Sequence, residues 1–184
     1  MVVVAAVIVL VVVKVVTASS GLPSGPVGSE GVALETGPAL AAASSTETGA
    51  PTAGVACGAT EQIATHNHVH LAVYVGGRPQ SIPARVGITS NCLYYLHTHV
   101  ADGIVHIEAP AGRKFVLGQF FAIWRQPLTD GRVGPAAGRV TAFVNGKPWS
   151  GSLENIPLRS HETIQLDVGS PAVAPQSVHF PGSL

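Results

Sequence analysis

Cys92 to Pro110 reads CLYYLHTHVADGIVHIEAP, and it carries three of the chain's eight histidines. Two β-type runs flank Val100-Ala101-Asp102-Gly103, where Asp-Gly supplies residues that tolerate the left-handed conformations of a tight loop. This is the pattern of a hairpin. Period-two alternation puts Leu93, Tyr95, His97 and His99 on one face of the first strand, and Ile104, His106 and Glu108 on one face of the second. With those four residues as the loop, His99 stands opposite Ile104 and His97 opposite His106. A slip of one residue would send every side chain of a strand to the other face, so the juxtaposition is a strict test of register.

Upstream, THNHVHLAVYVGG from Thr65 to Gly77 alternates in the same way. His66, His68 and His70 share a face with Ala72 and Tyr74, while Val69, Leu71, Val73 and Val75 form the apolar face. Gly76-Gly77 predicts a turn, and Pro79 and Pro83 make the return strand short or place it at a sheet edge. Downstream, Leu117, Phe120, Phe121 and Trp124 recur at i, i+3, i+4 and i+7, the signature of one buried helical stripe ended by Pro127. Arg139–Trp149 predicts a strand and an Asn-Gly turn. Glu162–Val168 predicts a strand with Ile164, Leu166 and Val168 inward. Three prolines beyond Gly169 predict an extended tail against the surface.

The chain carries 11% charged residues and a formal net charge of zero, which excludes the basic footprint of a nucleic-acid binder. Residues 1–18 open with an apolar run too short to span a bilayer, for which about 20 residues are needed. Val16-Thr17-Ala18 suits cleavage, so this segment reads as a signal peptide, or as a membrane anchor if retained. Residues 19–56 are mostly Gly, Pro, Ser, Thr and Ala, with Glu30, Glu35 and Glu47 as their charges. That composition predicts a disordered spacer with no core of its own. The β-rich globular domain is expected over 57–184. It contains the chain's two cysteines, Cys57 and Cys92; in an exported chain an even count predicts a disulfide, the alternative being thiolate ligation of a metal.

The order strand, strand, helix, strand, strand, strand from Cys92 onward resembles the β-grasp, or ubiquitin-like, arrangement. The run from Ala142 to Leu166 resembles the later strands of the small β-grasp sulfur carriers, although this chain ends Pro-Gly-Ser-Leu and not in their Gly-Gly. HNHVHLAVYVGG, the Cys92–Pro110 stretch and LGQFFAIW together resemble a family of uncharacterised exported proteins of bacteria and archaea, over roughly Cys57 to the C-terminus. Val100 stands where that family's LHTHD pattern places Asp. The resulting fold expectation is α+β and mostly β: a β-grasp-like sheet packed on one helix, with an extra N-terminal hairpin.

Imidazole is the commonest metal ligand, and His-x-His on a strand aims two side chains at one side of a sheet. His97, His99 and His106 are the leading ligand candidates for zinc or copper. His66, His68 and His70 are placed to complete the set, and Glu108 to act as ligand, orienter or base. His161, in a loop, and His179, in the tail, are expected at the surface. HExxH, GxSxG and a phosphate-binding glycine loop are all missing, so binding is favoured over catalysis. The function expected is an extracytoplasmic, secreted or envelope-anchored, metal-binding protein. The competing reading is an envelope structural or protein-interaction module without metal. A metal-dependent hydrolase would need Glu108 as its base.

Overall fold

The computed structural model describes residues 25–44, 48–182 and 184. The expected signal or anchor at 1–18 lies outside them. Among the described residues no helix is long and apolar enough to cross a membrane.

The alternation predicted upstream organises the molecule. Val69, Leu71 and Val73 of strand β1 (Thr65–Val75) are buried on one side of the sheet with Val105, Ile107, Ile164 and Leu166. Gly76 and Gly77, both with positive φ, turn β1 into the short β2 (Arg78–Gln80). Next come β3 (Leu96–His97), β4 (Ile104–Ala109), helix α1 (Leu117–Trp124), β5 (Val140–Val144), β6 (Lys147–Pro148) and β7 (Glu162–Val168). They form a seven-stranded mixed sheet in the order β6-β5-β7-β1-β4-β3, with β2 on β1. The class is α+β, mostly β. The hairpin beginning at Thr65 is not an accessory: β1 lies at the centre of the sheet, parallel to β7 and antiparallel to β4.

Helix α1 buries the predicted stripe, with Leu117, Phe120, Phe121 and Trp124 each no more than 1% exposed. Burial of side chains this size contributes on the order of 1.5–3 kcal/mol each. The Val116 N–H donates to Gln119 Oε1 at the helix start, and Arg125 in the left-handed region ends it before Pro127. Gly118 is needed for close approach, since a Cβ there would meet Glu154 Cβ at 2.8 Å. The Asn145-Gly146 turn forms with both φ positive, as such a two-residue turn requires.

Two irregular stretches pack against this frame, the first over the sheet face opposite α1. The tail runs extended after Gly169, where Val173 N–H donates to Asp167 Oδ1 and Gln176 N–H donates to Gln165 Oε1. The stretch read as a coreless spacer is the other, over its described residues 25–44 and 48–56: Glu30 meets the histidine face, while Leu40 and Val55 join the core on the α1 side. Val32, Leu40 and Val55 are buried, Glu35 accepts the Ile82 N–H, and the Ala42 carbonyl accepts Trp124 Nε1–H. Average composition misjudged it, because a strap needs only a few apolar anchors when the surface beneath is already built.

Cys57 and Cys92 are bridged, with Cα atoms 5.5 Å apart and a sequence separation of 35. The bond ties Cys57–Gly58 to Leu93–Tyr94, which also pair as strands. Loop-closure entropy assigns such a bridge about 3–4 kcal/mol. Thiol labelling of denatured, unreduced protein should find no free cysteine, and reduction should lower unfolding stability by that amount; two reactive thiols per chain would contradict the bridge.

The strap makes a second prediction. Leu40→Ala removes a buried side chain contributed by the strap and should cost about 2–5 kcal/mol in a denaturant titration. An unchanged midpoint would show that the strap adds nothing to the core.

Candidate metal centre

The apolar half of β1 dictates where its histidines go. Val69, Leu71 and Val73 face α1, so His66, His68 and His70 face the other way. Pairing puts His68 opposite His106 and His66 opposite Glu108. On the far side of β4, His97 stands opposite His106, as the hairpin reading required. The loop itself is wider than the four residues expected: regular pairing stops at His97, and Thr98 instead bonds through its backbone to Arg85 and Val86. Asp102 Oδ1 then accepts the Ile104 N–H, and Gly103 adopts φ +79 to re-enter the sheet.

Imidazoles from three adjacent strands therefore stand in one row. The ring centroids of His68 and His106 are 4.7 Å apart, and those of His97 and His106 are 5.4 Å apart. His99 turns in from the loop, with its ring 4.4 Å from that of His106. His97 Nδ1 lies 2.8 Å from the Tyr94 carbonyl, which can only accept, so Nδ1 carries the proton and Nε2 keeps its lone pair. That Nε2 faces His99 Nε2 at 3.3 Å and Glu108 Oε1 at 3.8 Å. Glu108 Oε1 also lies 3.4 Å from both His66 Nε2 and His106 Nδ1.

These side chains form two donor sets, His97, His99, His106 and Glu108 in one and His66, His68 and His106 in the other, each with its donor atoms within 4.8 Å of one another. Metal bonds of about 2.0–2.2 Å place two donors of one ion at most about 4.4 Å apart. Small side-chain rotations close either set.

His70 belongs to neither. It lies opposite Ile104, two residues or about 7 Å further along the strand, where the neighbour offers no donor. Its ring lines a cavity of about 300 Å3 with Glu35, Tyr74, Gln80 and Gln176, and its Nδ1 is buried without a hydrogen-bond partner. His161 and His179 are exposed; His161 stacks on Phe180 and reaches the Leu184 carbonyl at 3.0 Å.

Glu30 escaped the sequence reading as a site residue. It sits in a turn between the bridged Val27 and Ala33, and its Oε1 is 2.9 Å from His106 Nε2. The signal available was a lone acidic residue between Gly28 and Gly31 in an otherwise uncharged run. Glu61, whose Oε1 is 4.0 Å from His99 Nε2, lies at the rim.

Burial and neighbours set the protonation states. Burial, with the nearby His106 and His66, pushes the His68 imidazole down to about 4. Burial likewise pushes His70 down to about 4 against an Asp102 backbone hydrogen bond, and holds His97 well below the usual range. His106 goes the other way: burial disfavours its charge, but the Glu108 and Glu30 carboxylates outweigh that and raise it to about 9. Both carboxyls resist the upward push of burial and stay below their ordinary range because of His106. Glu35 is pushed up to about 8 by burial, opposed by the Ile82 hydrogen bond and assisted by Asp102.

The signs give a two-sided stability profile for metal-free protein. His68 and His70 have depressed values, so their contribution is complete above about 6.5 and is lost as pH falls through about 4. Glu35 has a raised value, so its contribution is complete below about 4.5 and is lost as pH rises through about 8. Glu35→Gln keeps the carbonyl oxygen that accepts the Ile82 N–H and removes the ionisation. Melting temperature across pH 4–9 should fall at both ends, and this variant should flatten the decline between pH 6 and 8; an identical slope would exclude Glu35 as a source.

No protein-family model matches the chain, and no curated protein or solved structure matches it significantly.

Proposed function

We propose that this is an exported protein that binds a transition metal, copper or zinc, through the histidine face of its sheet. The observation that carries this reading is the set His97, His99, His106 and Glu108, three imidazoles and a carboxylate gathered from β3, its loop and β4. Imidazole-rich sets suit zinc and copper, and a ligating histidine is commonly oriented through its other nitrogen, as the Tyr94 carbonyl orients His97. Histidines that only satisfied one another would leave no polar atoms stranded. Here the second carboxylate oxygens, Glu108 Oε2 and Glu30 Oε2, are both buried without a hydrogen-bond partner.

Export is supported by the disulfide, which fits an oxidising compartment, and by the apolar opening of the sequence. The β-grasp kinship is likewise our reading. It is supported by the parallel pairing of β1 with β7 at the centre of the sheet and by α1 lying between the β1–β4 pair and β5 in the chain.

Protein purified without an affinity tag should contain zinc or copper, or take up either on titration. His97→Ala should abolish most of that binding and His179→Ala none of it. Protein that neither contains nor takes up metal while showing an unperturbed near-ultraviolet spectrum would reject the proposal. Equal loss in both variants would reduce it to nonspecific surface binding.

A further inference from the structure

The donors on this face are too many and too widely spread for one ion. A four-coordinate ion on His97, His99, His106 and Glu108 uses the β3 side of β4 and leaves His66 and His68 on the β1 side unengaged. Those two rings are neighbours, with centroids 4.6 Å apart, and they form their own set with His106. His66 and His97 do not enter a common set, so the face has two foci, one on either side of β4.

What lies between the foci is suited to sharing. Glu108 Oε1 is 3.4 Å from His66 Nε2 on one side and 3.8 Å from His97 Nε2 on the other. Its second oxygen, Oε2, is buried and has no hydrogen-bond partner. A carboxylate so placed can give one oxygen to each of two cations. Glu30 supplies a second carboxylate from the strap, and its Oε2 is also buried and unpartnered. Two dications close together need this much negative charge to offset their repulsion. Each focus also has its own access to solvent: His66 on the β1 side has a side chain 44% exposed and His99 on the β3 side one 32% exposed, while Glu108 between them is 3% exposed.

Resting on the metal-binding reading above, we infer that the face holds a pair of transition-metal ions, one on the His66–His68 side and one on the His97–His99 side, with His106 and Glu108 between them.

The test titrates tag-free, metal-stripped full-length chain with Zn2+ alone under native mass spectrometry, and with Cu2+ alone under electron paramagnetic resonance. Two zinc ions should bind per chain. The second equivalent of copper should broaden or diminish the signal of the first through spin coupling. His66→Ala and His99→Ala alter the two more exposed ligands, and thermal melting verifies that both variants fold. Each should weaken one ion by about tenfold or more, in the range expected for disturbing a metal site, and leave the other within about threefold.

A single tight ion per chain, lost in His99→Ala and unaffected by His66→Ala, would overturn the pair while leaving the metal-binding reading intact. No ion at all would defeat that reading itself. Two ions without spin coupling, or two ions indifferent to both substitutions, would place them elsewhere and overturn the shared centre.

Discussion

The register of β1, β4 and β3 is the constraint on which the rest depends. It is set by apolar residues that have nothing to do with metal. Val69, Leu71, Val105 and Ile107 are all but inaccessible to solvent beneath α1, and moving any of these strands by one residue would expose several of them at about 1.5–3 kcal/mol each. The histidines inherit their alignment from that core. His68, His106 and His97 stand in one row because their neighbours in sequence are held, and the row cannot slip without unfolding the sheet's other side. A site built on strands in this way is more rigid than one built on loops. Among the described residues, only His99 and Glu30 reach the centre from outside regular strands.

The disulfide and the strap finish what the register begins. Cys92 precedes Leu93–Tyr94, and the Tyr94 carbonyl orients His97, so the covalent tie to Cys57 is only a few residues from that histidine. The strap covers the face from the other side and delivers Glu30 to His106. Burying the histidine row in this way strips water from its nitrogens, which holds His68 and His97 neutral and ready to donate a lone pair.

Much of this was legible in the sequence because period-two alternation is an unambiguous signal when one face is purely apolar. LAVYV on β1 and IQLDV on β7 each announce a core face, and the Asn-Gly and Gly-Gly turns announce their hairpins. The opposition of His97 and His106 followed from alternation and loop chemistry alone. The position of β1 at the sheet's centre did not, because strand order depends on long-range pairing with β7, about a hundred residues away in sequence, and no local pattern encodes it. The failure of His70 to join the centre has the same origin. Alternation puts it on the right face, but only the pairing of β1 with β4 shows that its neighbour is Ile104. The strap was misread for a different reason: with so few apolar residues, its order comes from the surface it lies on, and composition describes only the segment itself.

The electrostatics explain how such a face exists without collapsing when no ion is bound. Glu30 and Glu108 are both held ionised by His106, whose own proton is held at neutral pH because its value is raised to about 9. The proton on His106 is therefore the counter-charge of the metal-free site. It sits between the two carboxylates, where a buried negative pair would otherwise repel. A dication bound there, as proposed, would perform the same task with more charge, and the proton would have to leave for the His106 nitrogen to bind it. The carboxylates that make the metal-free fold tolerable are thus the ones that would favour the proposed metal-loaded state. An all-histidine row of the same shape would be neutral and easier to bury, but it would lack the negative charge that offsets a second dication.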